Sequence, residues 1–332
     1  MSSGRLLRRI LKSGVQGDPE AFRSAAEEVI REERAKQHHL LANDLERILY
    51  GEGTPLRHTP VRQPRPEVPL DKERGLALVE LREPVRELDD LVLSDENRSA
   101  VEEVILEHGR SEVLRAHGLH PVNRLLFCGP PGCGKTVTAE AIAAELSLEL
   151  VTVRFDAVVS SFLGETSANL RKVFDFLDQG WYVALFDEFD AIGKERSDVG
   201  EHGELKRVVN SFLQMMDSYQ GKSLLIAATN HESMLDTALW RRFEEVLFFE
   251  RPNLEQIRQL IPLKLRAVRW ELPMDDLVFL NQFRGLSHAD IERSLLRAVK
   301  SMVLQGREHL TRAMVEEALA REMRRTMATG GS

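Results

Sequence analysis

The sequence predicts an α/β protein: a parallel sheet sandwiched by helices, followed by a small all-helical domain and preceded by a separate N-terminal helical unit. Three observations carry this prediction. Residues 88–250 alternate helix-forming stretches with short, continuously apolar runs, the pattern of strands buried on both faces. One of these runs, Leu125–Cys128, leads into Gly129-Pro130-Pro131-Gly132-Cys133-Gly134-Lys135-Thr136 and then into a helix-forming stretch, Val137–Leu146. This octet fits G-x-x-x-x-G-K-[ST], whose four specified positions would coincide in about one chain of this length in a hundred, so chance is a poor explanation. Beyond Pro252 the spacing becomes helical, over 254–268, 274–283, 287–304 and 311–327.

At the N-terminus, Asp18-Pro19 gives a helix cap followed by proline at the first helical position, and Phe22, Ala26, Val29 and Ile30 recur at helical spacing. Leu41, Leu45, Ile48 and Leu49 form a second stripe, so residues 1–50 read as a helical unit. Residues 51–87 read as a linker, stiffened by Pro55, Pro60, Pro64, Pro66 and Pro69, with a charged stretch at 71–87 whose structure the sequence leaves open. The nucleotide-binding region then spans 88–250 and the helical region 251–328.

Composition bounds the function. The 332 residues are 42% hydrophobic and 30% charged, enough for more than one core. A net charge of −8 argues against broad nucleic-acid binding. No apolar run approaches the length of a membrane-spanning helix, and no secretory segment follows the basic residues Arg5, Arg8, Arg9 and Lys12, so no membrane role is expected. The two cysteines, Cys128 and Cys133, are too few and too close for a disulfide framework or a zinc site, which points to a reducing, cytoplasmic setting.

Within the α/β region the candidate strands are Leu125–Cys128, Leu148–Val153, Tyr182–Phe186, Leu224–Ala228 and Glu245–Phe249. Gly129, Pro130, Pro131, Gly132, Cys133, Gly134, Lys135, Thr136 and Val137 make up the phosphate cradle: backbone N–H groups approach the anion, Lys135 adds positive charge and the Thr136 hydroxyl suits Mg2+. The strand Val183–Phe186 delivers Asp187 and Glu188 to its carboxyl end, the edge where ligands bind in open α/β sheets. Asp187 suits Mg2+; Glu188 suits a base that orients or deprotonates an attacking water. Asn230 ends another apolar strand and can reach the same water or phosphate oxygens. Arg241 and Arg242 follow a short helix, and an arginine that neutralises charge in phosphoryl transfer can be worth ~10³ in rate.

Taken in order, these motifs resemble the AAA family of ATPases within the AAA+ superfamily, over roughly residues 88–325. The resemblance makes the loop Walker A, Asp187-Glu188 Walker B, Asn230 the sensor-1 asparagine, and Arg241 and Arg242 the two arginine fingers that act on a neighbouring subunit's ATP. The family's Pro-Gly spacer is missing from Asp236-Thr237-Ala238-Leu239-Trp240-Arg241-Arg242-Phe243, which leaves the relative reach of the two arginines open. Gly285-Leu286-Ser287-His288-Ala289-Asp290 is similar to G-F-S-G-A-D at the start of a lid helix, with Ala289 near the nucleotide and His288 in place of a glycine. Leu91 and Val92 match apolar residues that border the adenine. Phe162 and Leu163 match the aromatic–aliphatic pair of a pore loop that grips extended polypeptide.

The resemblance therefore implies an ATP- and Mg2+-dependent ATPase that assembles with itself, as a hexamer, and remodels, unfolds or extracts a protein substrate by threading it through a central pore. A separate protease or effector would be a partner, since neither H-E-x-x-H nor G-x-S-x-G occurs in the chain. The alternative is an ATP-controlled assembly switch or adaptor that recruits such an effector; a nucleic-acid motor ranks third.

Overall fold

A computed structural model of the protein describes residues 19–35, 66–72, 74–158, 163–188, 211–230 and 240–329. Its contacts divide the chain into two units, residues 1–66 and 67–332. In the first, helix α1 (Pro19–Ala35) starts at the proline that the sequence places at its first turn. Ala25 and Ile30 are its buried residues, whereas Phe22, expected on the apolar stripe, is exposed. The second stripe, residues 41–49, lies outside the described residues.

The second unit holds a six-stranded sheet. Its strands are β1 (Val79–Arg82), β2 (Arg124–Cys128), β3 (Glu149–Val153), β4 (Tyr182–Phe186), β5 (Leu224–Thr229) and β6 (Glu245–Phe248), in the order β1-β3-β4-β5-β2-β6. All pairs are parallel except β1 with β3. The five runs read as strands from the sequence are all there, within a residue of their expected ends. Strand β1 is the addition: it lies within the span expected to be linker. Its buried–exposed alternation reads Val79, Glu80, Leu81, Arg82, a half-exposed edge strand whose charged positions hide its apolar ones.

Each central strand sends alternate side chains to opposite layers. Leu126, Ala184, Phe186 and Leu225 join a core completed by α5 (Phe155–Val158), α6 (Leu163–Asp178) and the helical residues 211–218. Leu125, Phe127, Leu185 and Ile226 face the other core, with Val101 and Val104 of α2 (Asp95–Gly109) and Ile142 of α4 (Lys135–Glu145). The short helix α3 (Ser111–Ala116) precedes β2.

A third core belongs to the helical region: α7 (Leu254–Lys264), α8 (Leu277–Asn281), α9 (His288–Leu304) and α10 (Arg312–Thr329). It is helical except for one feature that periodicity does not announce, a parallel ladder of two residues each between β7 (Trp270–Glu271) and β8 (Leu310–Thr311). Among the described residues no helix is long and apolar enough to cross a membrane.

Candidate active site

The sheet register brings the motif residues to one edge. Cys128 pairs with both Thr229 and Phe248, so Gly129 and Asn230 leave adjacent strands together. Phe186 pairs with Ala227, which sends Asp187 and Glu188 out beside them. The loop between β2 and α4 is then shaped by its glycines. Gly129 adopts φ +142°, and a Cβ there would sit 2.0 Å from the Phe249 carbonyl oxygen. Gly134, at φ +109°, caps α4.

Lys135 is buried, at 6% exposed. Its ammonium donates to the carbonyls of Gly129 (2.6 Å) and Pro130 (3.0 Å) and to Oδ1 of Asn230 (2.8 Å). The Thr136 hydroxyl donates to Oδ2 of Asp187 at 2.6 Å. Glu188 has φ +52°, a left-handed conformation that costs a non-glycine residue energy and clusters at functional sites. Its backbone N–H donates to Oδ1 of Asp187. Burial pushes the Cys133 thiol up, which keeps it protonated and unreactive.

The helical region closes the other side. Ser287 caps α9, its hydroxyl accepting from the Asp290 N–H and its own N–H donating to the Asp290 carboxylate, and Arg293 ties that carboxylate to Glu322 of α10. The Ala289 N–H donates to the Gly132 carbonyl at 3.0 Å. Gly132 has φ +75°, and a Cβ there would meet Ser287 Oγ at 2.7 Å. The phosphate loop and the first turn of α9 therefore touch directly.

Between them is a cavity of about 280 Å3. It is lined by the loop from Pro131 through Val137, by Asp187, Glu188 and Asn230, and by Leu91, Val92 and Ala289. Those expected residues are thus brought together. Gly129 and Pro130 meet the site through Lys135 rather than by lining the cavity. Arg241 is exposed, and Arg242 donates to Asp217 of its own chain at 2.7 Å; neither lines this cavity. Phe162 lies outside the described residues, and Leu163 begins α6.

Sequence reading missed a further group of lining residues: Arg86, Asp90, Leu260, Lys264 and Glu292. No motif marks them, because three come from lid helices whose charged positions look like ordinary solvated faces. His288, noted only as a departure from glycine, lines the cavity too. Burial, and to a lesser degree the Lys264 charge, lowers its pKa to about 4 although the Val92 backbone opposes the shift. Neither ring nitrogen meets hydrogen-bond geometry.

The Thr136 hydroxyl and Asp187 carboxylate are hard oxygen donors at hydrogen-bond distance, a donor set that fits Mg2+. No group of three or more His, Cys, Asp or Glu able to hold a metal occurs among the described residues, so such an ion would complete its shell with phosphate oxygens and water.

The family described as "ATPase family associated with various cellular activities (AAA)" matches residues 125–251. An uncharacterized AAA family ATPase, y4kL, of Sinorhizobium fredii is 41% identical over 326 residues, 98% of this chain and 97% of that protein. The proteasome-activating nucleotidase of Thermococcus onnurineus is 32% identical over 69% of this chain, and the ATP-dependent zinc metalloprotease FtsH of Aquifex aeolicus is 31% identical over 75%. The chain spans 59% and 40% of the lengths of those two. The crystal structure of the FIGL-1 AAA domain shares the fold, with a TM-score of 0.58 at 21% identity, covering 73% of this chain and 85% of that one. The chain belongs to the AAA family of ATPases.

Proposed function

We propose that this AAA ATPase couples ATP hydrolysis to the remodelling of a protein substrate, drawn as an extended segment through the centre of a ring of identical subunits. One observation carries the reading: phosphate loop, acidic strand end and polar strand end converge, with Lys135 on Asn230 at 2.8 Å and Thr136 on Asp187 at 2.6 Å. The relatives named as a proteasome-activating nucleotidase and an ATP-dependent protease support a protein as the object of the work.

In this reading the loop N–H groups and Lys135 bind the phosphates. Thr136 and Asp187 would hold Mg2+, which when bound neutralises phosphate charge. Glu188 accepts a proton from the attacking water, and Asn230 orients it. Arg241 and Arg242 act on the ATP of the adjacent subunit, which makes assembly, as a hexamer, a condition of turnover. Phe162 and Leu163 grip the substrate, because apolar side chains hold many sequences without needing a particular hydrogen-bond pattern. Residues 1–50, on the proline-rich tether that follows, recruit substrate or a protease.

The test is Phe162→Ala. ATP turnover is expected to stay within about twofold of wild type while remodelling of a partner protein, captured first with Glu188→Gln and ATP, is lost. Remodelling that survives Phe162→Ala would sink threading and leave an ATP-controlled switch.

A further inference from the structure

The cavity's lining is only partly explained by the motifs. Beside the phosphate loop, Asp187, Glu188 and Asn230, it includes Leu91, Val92, Leu260, Lys264 and Glu292, the last three on lid helices. The Ala289–Gly132 hydrogen bond sets the polarity between these two groups, since it rests the first turn of α9 on the loop and leaves Glu292 about one turn further along. A nucleotide whose phosphates occupy the loop is left with its base against Leu91, Val92 and Leu260, facing Lys264 and Glu292.

Lys264 Nζ lies 3.2 Å from Glu292 Oε1, joining α7 to α9, with side chains 21% and 36% exposed. An ionised carboxylate offers about four acceptor positions and no donor, so one ammonium leaves Glu292 with acceptor capacity toward the cavity. His288, one turn back on the same helix, brings no competing charge, being held neutral by burial.

We propose that Glu292, oriented by Lys264, selects adenine by accepting a hydrogen bond from its exocyclic amine. Guanine presents a carbonyl oxygen at that position, so two acceptors would face each other in a half-dehydrated cleft, and one would lose its partner. Lys264 is the positioning residue: it fixes the carboxylate without touching the base. The inference rests on the nucleotide occupying the loop.

Calorimetric titration of ADP, GDP and IDP tests it without relying on turnover. Wild type is expected to bind ADP at least tenfold more tightly than GDP or IDP. Glu292→Gln, whose amide can donate to the carbonyl of guanine, should reduce the ADP:GDP ratio by about tenfold. Lys264→Ala should reduce it with little change in GDP affinity. A ratio unchanged within twofold in Glu292→Gln overturns the proposal, as does a ratio that rises in Lys264→Ala, which would make Lys264 the group that meets the base. A wild-type chain that binds none of the three overturns the nucleotide reading itself.

Discussion

Replacing Gly129 by alanine separates two costs that are usually confounded. The residue has φ +142°, and an added Cβ would lie 2.0 Å from the Phe249 carbonyl oxygen, 2.9 Å from its carbon and 3.2 Å from its Cα. All three are backbone atoms at the end of β6, so no side chain can swing aside. Adopting this φ costs a side-chain-bearing residue ~1–3 kcal/mol. Relieving the clash means opening β2 from β6 by about 1 Å, beyond ordinary contact, and that stretches the 2.7 Å bond from Phe249 N–H to Cys128, worth ~1 kcal/mol. The expected loss is ~2–4 kcal/mol, a large share of a domain's stability. Gly118→Ala supplies the control, since φ is +74° but nothing lies within 4 Å of its added Cβ, which leaves only the ~1–2 kcal/mol of left-handed backbone. Urea denaturation followed by circular dichroism gives both values, and ADP titration should find Gly129→Ala without measurable affinity. If the two variants lose stability to within about 0.5 kcal/mol of each other, the close approach of β6 is not what demands glycine.

Other expectations concern chemistry and pH. Glu188→Gln should retain ATP binding while turnover falls by ~10²–10⁴, measured as phosphate release. Arg241→Ala should lower turnover by ~10³ with binding intact, whereas Arg242→Ala breaks an own-chain pair with Asp217 whose partners are 31% and 43% exposed, and should cost under ~1 kcal/mol of stability. Mixing Arg241→Ala with Glu188→Gln subunits should restore part of the activity; no recovery would argue against fingers acting across subunits. His288 is neutral in the fold, with its pKa lowered to about 4 from the ordinary 6.5. A depressed histidine binds its proton more readily when unfolded, so stability should fall as pH drops from 6.5 toward 4, by ~2 kcal/mol at pH 5. His288→Gln should flatten the Tm profile over that window, and an unchanged slope would show that His288 is not its source.

What the sequence could and could not reveal follows from how each element is buried. Strands β2, β4 and β5 are covered on both faces, so their residues are continuously apolar and their ends are visible at once. Strand β1 has one covered face and one neighbour, and Glu80 and Arg82, which pair with each other at 2.9 Å, disguise it as a charged stretch. The two-residue ladder in the lid is too short for any periodicity. The candidate site divides in the same way. Asp187 and Asn230 each follow a strand directly and Lys135 closes the glycine-rich loop after another, so a local pattern locates them. Lys264 ends α7 and Glu292 lies on the second turn of α9, where Lys and Glu are the commonest solvated residues, so no local pattern marks them as lining a cavity.

The docking of α9 on Gly132 bounds how the lid can respond to nucleotide. Among the described residues one backbone hydrogen bond joins loop and lid, Ala289 to Gly132, worth ~1 kcal/mol net. The Arg266–Asp90 pair, with Asp90 lining the cavity, is 69% exposed on the arginine side and adds under ~1 kcal/mol. Moving a lid from mostly open to mostly closed needs ~5.5 kcal/mol of differential affinity from a ligand. A ligand that touches both halves at once can supply it. In the proposed binding mode the phosphates meet the loop and the base meets Leu91, Val92 and Leu260, all of which line the cavity. Apolar burial at ~25 cal/mol per Å2 over the faces of a purine supplies the right order of energy. By linkage, whatever factor the closed lid adds to nucleotide affinity, the nucleotide adds to closure. The base is thus more than a specificity handle: a triphosphate without one should bind the loop yet leave the lid unclosed, and tripolyphosphate, which should protect the loop but not the lid from hydrogen exchange where ADP protects both, is the direct check.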